Sequence, residues 1–240
     1  MDNFSPPVHE WLRSRFPGPT DAQHQVWPRA MEGENLLLCS PTGTGKTLAA
    51  FLCGIDALIS GRWTRQKPSL LYISPLKALN QDVRLNLLEP LGEIRGIAAA
   101  RGEEWQEIRV ESRSGDTSQY HRRRMLEKPP QILITTPESL NIMLANSRAR
   151  LLFSDLQTVI LDEIQAVAGS KRGVHLVSAL ERLTEIAGDF QRIALSATLA
   201  NPERVAAFAS GFTASGEARP MRIIRSVDRK ELRLEVELIP

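Results

Sequence analysis

The sequence predicts an α/β fold, a mainly parallel sheet with helices on both faces, and three observations predict it. Short apolar runs bounded by turn residues recur along the chain. None of them alternates between apolar and polar residues, as a half-exposed strand would. Between them lie stretches whose apolar residues fall at helical spacing. In chain order, the first run is Leu36-Leu37-Leu38-Cys39, about the length of a buried strand. After Thr47, residues Leu48, Phe51, Leu52, Ile55, Leu58 and Ile59 share one helical face, and Gly61 supplies a stop. Further buried strands follow at Leu70–Ile73, Ile132–Thr135, Thr158–Leu161 and Ile193–Leu195. At Asn201-Pro202-Glu203 another helix starts, because Asn is a good N-cap and Pro fits the first helical position. From Arg222 to Pro240 the pattern shifts to alternating strand character (Leu232, Leu234, Val236, Leu238), as if a connection to something further had been cut.

The 240 residues suffice for one sizeable core or two modest ones, and 42% hydrophobic with 24% charged residues disfavours a disordered or fibrous chain. A net charge of +2, from 30 basic and 28 acidic residues, implies neither nucleic acid nor membrane by itself. The longest apolar candidate, Leu48 to Ile59, is shorter than the roughly 18–20 residues a span needs, and Asp56 interrupts it. The N-terminus has neither the basic region nor the apolar run of a secretion signal, which leaves the cytoplasm as the expected compartment. Cys39 and Cys53 read as reduced, buried, small hydrophobes, and the histidines and cysteines show no metal-ligand spacing.

Three motifs carry chemistry. Ser40-Pro41-Thr42-Gly43-Thr44-Gly45-Lys46-Thr47 follows a strand and opens a helix, the setting of a phosphate-binding loop. Its glycines let backbone N–H groups turn inward around phosphates, Lys46 reaches the β- and γ-phosphates, and the Thr47 hydroxyl ligates Mg²⁺. Ser40 stands where the usual pattern has its first glycine. The second motif, Asp162-Glu163-Ile164-Gln165, ends the strand Thr158–Leu161, facing the crevice where ligands bind in such sheets. Asp162 is expected to hold the Mg²⁺ and Glu163 to orient and deprotonate the attacking water. Ser196-Ala197-Thr198, at a third strand end, completes a recognisable order.

That order resembles the first motor domain of superfamily 2 DExH-type helicases, a RecA-like P-loop NTPase domain, over nearly the whole chain. Pro19-Thr20-Asp21-Ala22-Gln23 is similar to the adenine-reading Q motif, Ser74-Pro75-Leu76-Lys77-Ala78-Leu79 to motif Ia, Thr136-Pro137-Glu138-Ser139-Leu140 to motif Ib, and Ser196-Ala197-Thr198 to motif III. Thr135–Leu140, Gly115-Asp116-Thr117 and Gly169-Ser170-Lys171-Arg172-Gly173, with Glu181-Arg182-Leu183, resemble the Lhr (large helicase-related) family. The resemblance implies an ATP-dependent 3′-to-5′ DNA helicase or translocase linked to DNA repair, cytoplasmic and nucleoid-associated, using ATP and Mg²⁺ and gripping single-stranded nucleic acid through its backbone. It further implies a RecA-like domain over residues 1–226, with a Q-motif-like segment at 1–30, and from 227 the start of a linker to a second motor domain.

Carried over by position, the resemblance gives Gln23 hydrogen bonds to the adenine edge, with Phe4 or Phe16 as the aromatic beside the base. Thr42, Gly43, Thr44, Gly45, Lys46 and Thr47 surround the phosphates. Lys77, the Gly115-Asp116-Thr117 turn, Thr136 and Glu138 touch one loading strand. Gln165, where Lhr-like helicases usually have His, bridges the nucleotide site to Ser196 and Thr198, since glutamine donates and accepts as neutral histidine does. No Gln-x-x-Gly-Arg-like segment is present to supply an arginine finger. His121-Arg122-Arg123-Arg124 is either a phosphate contact near the turn or a solvated helical face, and the four tryptophans, Trp11, Trp27, Trp63 and Trp105, are packing residues. An RNA or RNA–DNA hybrid remodelling ATPase shares every motif, and a nucleotide-gated nucleic-acid binding module is the reading from another class.

Overall fold

The computed structural model describes residues 3–41, 43–64, 66–75, 84–213 and 215–226, with the backbone alone at 84 and 85. The expectations placed on Thr42, Lys77 and the linker from residue 227 lie outside the described residues. Among the described residues seven strands form one sheet: β1 (Leu36–Cys39), β2 (Leu70–Ile73), β3 (Val110–Arg113), β4 (Ile132–Thr135), β5 (Thr158–Leu161), β6 (Gln191–Ser196) and β7 (Arg222–Arg225). Their spatial order is β3-β4-β2-β5-β6-β1-β7, and every pairing is parallel. The α/β expectation holds, and the five apolar runs form the five interior strands. The sequence reading missed β3 as a strand because Val110-Glu111-Ser112-Arg113 lies at the sheet edge, where a strand needs apolar residues on one side at most. Flanked by two arginines, β7 is the other edge.

Eight α-helices cover the two faces: α1 (Pro6–Arg15), α2 (Asp21–Met31), α3 (Lys46–Ile59), α4 (Glu89–Ala100), α5 (Gln119–Glu127), α6 (Pro137–Ala145), α7 (Lys171–Ala187) and α8 (Pro202–Ser210), counted among the described residues. Side chains alternate along each strand, so each strand feeds two cores. In β1, Leu36 and Leu38 join Val8, Trp27, Phe51 and Ile94 from α1 to α4. Leu37 and Cys39 join Met125, Leu140, Leu180 and Ala209 from α5 to α8. Both cysteines are buried and free, as expected. The predicted helix after Thr47 ends at Ile59, with Gly61 at φ +73° beyond it, and the Asn201 side chain caps α8 by accepting from the Arg204 N–H. No helix among the described residues is long and apolar enough to cross a membrane.

Strand order fixes the site. All carboxyl ends open on one edge of the sheet. There β6 separates β1 from β5, so the loops after β1, β6 and β5 fall side by side. The loops after β2, β4 and β3 continue along the same edge beyond β5. At the opposite, amino end a different cluster forms. Arg192, fully buried, bonds to Glu181 at 3.1 Å, to Thr184 Oγ1 and to the Ala209 and Ser210 carbonyls, while Arg219 pairs with Glu181 at 3.3 Å and Asp189 at 2.9 Å.

Candidate functional site

The phosphate loop is braced from within. The hydroxyl of Ser40, the residue that departs from the glycine pattern, lies 2.6 Å from the Thr44 hydroxyl, and Thr44 Oγ1 also lies 2.9 Å from the Pro41 carbonyl. Gly43 and Gly45 adopt φ of +75° and +81°, left-handed backbone that glycine reaches without penalty. At Gly45 a Cβ would also stand 2.9 Å from Gln23 Nε2, so a side chain there would displace the Gln23 amide as well as strain the backbone. Lys46, 7% exposed, directs Nζ to the Ser40 and Pro41 carbonyls at 2.5 and 3.2 Å. Burial pushes its ammonium pKa down, opposed by the carboxylates of Glu163 and Asp162. Gly45 caps α3 with no side-chain hydrogen bond, leaving the first N–H groups of α3 for an anion.

Next along the edge, Asp162 leaves β5 with its N–H bonded to the Ile73 carbonyl and its carboxylate accepting from the Tyr72 hydroxyl. Burial raises its pKa, against the Tyr72 hydrogen bond, which lowers it. Glu163 has φ +46° and is the non-glycine residue with left-handed backbone among those described. Such a conformation costs on the order of 1–3 kcal/mol and persists where surrounding structure imposes it, commonly at functional sites. Gln165 performs the expected bridge in part: its amide donates to the Glu163 carboxylate, and its Oε1 accepts from the fully buried Ser196 hydroxyl at 2.7 Å. The expected bond to Thr198 is not made. Thr198 lies beyond the end of β6, exposed, and no hydrogen bond joins it to Gln165.

The N-terminal segment closes over this end. Thr20 and Gln23 form a capping box on α2, with Gln23 Oε1 accepting from the Thr20 N–H at 3.0 Å and Thr20 Oγ1 donating to the Thr44 carbonyl at 3.1 Å. Gln23 is therefore both a helix-cap residue and a neighbour of the phosphate loop. Phe4 packs edge-to-face on Trp27 with centroids 5.1 Å apart, and lines a cavity of about 160 Å³ with Asn3, Pro19, His24, Trp27, Pro28 and Met31. Phe16, the alternative aromatic, packs on Trp11 instead, away from that cavity. Asp56 anchors the segment, accepting from the Ser5 backbone N–H at 2.8 Å and from its hydroxyl at 2.6 Å; sequence reasoning saw Asp56 only as an interruption of an apolar run.

Beyond β5 lie the described residues assigned to the strand, those after β3 and β4. After β3, Thr117 Oγ1 accepts from the Ser114 N–H at 2.9 Å, Asp116 N–H bonds to Ser114 Oγ at 3.3 Å, and the exposed Gly115 carbonyl accepts from Arg122 at 2.9 Å. The turn is thus held by its own side chains, and the His121–Arg124 run lies on α5, with Arg123 and Arg124 on its exposed face. After β4, Thr136 caps α6, its hydroxyl accepting from the Ser139 N–H at 3.3 Å. Glu138, also assigned to the strand, has a charged neighbour. Its carboxylate accepts from Arg172 Nε at 2.7 Å. Tyr72 and Arg172 went unassigned in the sequence: an aromatic in an apolar strand and an arginine at a helix start carry no signal of what they touch.

Known proteins are similar to this chain in sequence and fold. The family model described as DEAD/DEAH box helicase matches residues 20–205. ATP-dependent helicase Lhr-Core protein 2 of Thermococcus barophilus is 46% identical over 237 residues, 97% of this chain and 27% of that protein. Lhr helicase/uracil glycosylase of Escherichia coli is 48% identical over 218 residues, 88% of this chain and 14% of that protein. A solved structure of Mycobacterium smegmatis helicase Lhr, bound there to ssDNA and AMP-PNP, superposes with a TM-score of 0.85 at 47% identity, covering 92% of this chain and 28% of that one. DEAD-box helicase Mss116, bound to ssRNA and UDP-BeF in its structure, shares the fold with a TM-score of 0.75 at 20% identity. The chain spans about a quarter of the length of the Lhr-Core relative, 27%. With the family match running from the capping box of α2 into α8, the chain belongs to the DEAD/DEAH box helicase family and is strongly similar to its Lhr-type members.

Proposed function

We propose that this chain is the first, ATP-binding RecA-like domain, residues 1–226, of an Lhr-type helicase that hydrolyses ATP to move along single-stranded DNA. The observation that carries the reading is the Glu163–Gln165–Ser196 bridge beside Lys46. It links the carboxylate assigned to the attacking water to a third strand end, next to the lysine assigned to the phosphates. Lys46 exchanges its two carbonyl partners for phosphate oxygens, and the N–H groups of the loop and of α3 orient the chain of phosphates. Glu163 takes a proton from the attacking water, and Gln165 holds that carboxylate in place. Gln23 keeps Oε1 on the Thr20 N–H and offers Nε2 to the base, with Phe4 as the aromatic beside it. Thr47 and Asp162 present a hydroxyl and a carboxylate, hard oxygen donors that suit Mg²⁺. Mg²⁺ held there would neutralise part of the phosphate charge.

The strand lies along the loops after β2, β4 and β3, held through its backbone by Lys77, the Gly115-Asp116-Thr117 turn and Thr136. A second RecA-like domain of a longer chain supplies the other wall and an arginine, in a cytoplasmic, nucleoid-associated protein of DNA repair moving 3′ to 5′. Similarity to a Lhr structure holding ssDNA and AMP-PNP supports DNA as the strand. Strand-stimulated ATPase of the longer protein, measured on single-stranded DNA, RNA and hybrids, tests the reading. Stimulation by DNA that is lost in Lys46→Ala is the expected result, and stimulation by RNA alone overturns the choice of strand.

A further inference from the structure

The stretch Gly169-Ser170-Lys171-Arg172-Gly173 has no part in the chemistry above, yet it lies between the two halves of the sheet edge. Ser170 caps α7 by accepting from the Gly173 N–H at 3.2 Å. Gly173 is pressed against the loop that follows the acidic motif: a Cβ there would stand 2.3 Å from the Val167 carbonyl oxygen and 2.8 Å from Phe208. Val167 in turn closes the short 3₁₀ turn Ile164–Ala166, which contains Gln165. The first turn of α7 therefore follows the position of the Glu163–Gln165 segment with little slack. From that turn Arg172 reaches outward. Its Nε donates to Glu138 Oε1 at 2.7 Å, in the first turn of α6, and its Nη2 donates to the Pro75 carbonyl at 3.0 Å, in the loop after β2.

Those are two of the three loops to which strand contacts were assigned, 34 and 97 residues away in sequence. A planar guanidinium satisfies both at once, in a fixed relative orientation that a lysine cannot reproduce. Burial would raise the Glu138 carboxyl pKa, but hydrogen bonds from Arg172 and the backbone bring it below the ordinary carboxylate range, so the tie is charged at neutral pH. The ion pair is half exposed, 48% and 55% for the two side chains, so its contribution to stability is small and its placement is the informative property.

We propose that Arg172 is a positioning residue that ties the loops after β2 and β4 to the nucleotide half of the site, so that nucleotide binding at Lys46 and Glu163 sets the grip on the strand. The proposal rests on the strand-binding reading above. Glu138 serves as a partner of Arg172 and not as a phosphate contact.

The test measures binding of labelled oligothymidylate to the 240-residue chain, with and without AMP-PNP. Arg172→Ala and Glu138→Gln should each weaken strand binding in the presence of AMP-PNP by about two- to thirtyfold, the range over which residues along a coupling route act. The double variant should be no weaker than the weaker single variant, because both remove one tie. Arg172→Lys should recover part of the loss. In Arg172→Ala, AMP-PNP affinity without strand, the thermal midpoint and the salt slope of strand binding should stay at their original values, since a residue that neutralises no phosphate releases no counterion. A salt slope lowered in Arg172→Ala by about 0.7, with Glu138→Gln binding as tightly as before, makes Arg172 a direct phosphate contact and overturns the proposal. Wild-type binding with silent variants overturns it alone. No binding by the wild type removes the strand-binding reading and this proposal with it.

Discussion

Two clusters of buried charge stand at opposite ends of the same strands, and they are partnered differently. At the amino end, Arg192 and Arg219 face Glu181 and Asp189, so charge meets charge. Burial lowers the Arg192 pKa and Glu181 raises it again, with Phe190 beneath the guanidinium at 5.3 Å. At the carboxyl end each charge is held by a neutral group: Lys46 by two carbonyls, Asp162 by the Tyr72 hydroxyl, Glu163 by the Gln165 amide. A phosphate or a cation can displace carbonyls, hydroxyls and amides without breaking an ion pair. An incoming phosphate at the amino end would have to break one. The same chemical types thus make a fixed joint at one end and a binding site at the other, and the identity of the partner separates them.

Substitutions at each end sharpen that contrast. The largest effect is expected at Glu163, where Gln removes the base but keeps the shape: hydrolysis should fall by about 10²- to 10⁴-fold while ATP stays bound. Lys46→Ala should instead lose the nucleotide itself, because the lysine meets phosphate in ground and transition states alike. Neither should lower the unfolding midpoint. An ATPase rate in Glu163→Gln equal to the original would remove Glu163 from its role.

At the amino end the order reverses. Arg192→Ala leaves Glu181 without one of its two guanidinium partners and the Ala209 and Ser210 carbonyls short of donors. It should cost about 1–3 kcal/mol in denaturant unfolding, the cost of buried carbonyls left short of donors, with nucleotide affinity of the folded fraction unchanged. Gly211, at φ +64°, belongs to the same joint: a Cβ would stand 2.2 Å from Glu181 Oε1. Loss of nucleotide affinity without loss of stability in Arg192→Ala would show that the amino-end cluster is no passive joint.

A comparable effect is expected at Gln23, which belongs to both stability and binding. Gln23→Ala should narrow a preference for ATP over GTP by roughly 1–3 kcal/mol, the worth of one or two hydrogen bonds. It also removes the capping box, so the variant alone mixes two effects. Gln23→Glu separates them. A glutamate still accepts from the Thr20 N–H but has no Nε2 to offer the base, and its repulsion of phosphate cancels in the ratio of the two affinities. Competition binding in which the wild type holds ATP and GTP equally would leave Gln23 with capping as its sole role.

The carboxyl end was legible because its residues act where they stand in sequence. The phosphate loop is one contiguous segment whose glycines and lysine are specified by local backbone and charge, and the acidic pair follows directly from a buried strand. Gln165 was legible as far as Ser196. Its reach to Thr198 depends on where the chain turns after β6, which no local signal announces. Nothing local announces Tyr72 beneath Asp162, or the Arg172 tie across 97 residues to Pro75, since both depend on which strands become neighbours. The edge strand β3 was lost for a related reason, its polar residues being compatible with an edge only once β4 is known to lie beside it.

The smallest effect concerns salt. If the strand meets only backbone-directed groups on one wall, few phosphates are neutralised, and the log-log slope of binding against salt should lie on the order of −1 to −3. Base sequence should hardly matter, because such contacts fix register and carry no sequence information. Lys77 lies in the motif Ia stretch and is assigned to the strand, so Lys77→Ala should reduce the slope by a little under one unit. Lys67 provides the control within the same strand–loop unit. It precedes β2, at the amino end of the sheet, and donates to Ser154 Oγ at 2.7 Å, so Lys67→Ala should leave the slope unchanged although it removes the same charge. Titration of a labelled single strand at several salt concentrations reads both. An equal drop in the two variants would mean that the strand senses net charge alone, and that the carboxyl edge holds it no more specifically than the rest of the surface.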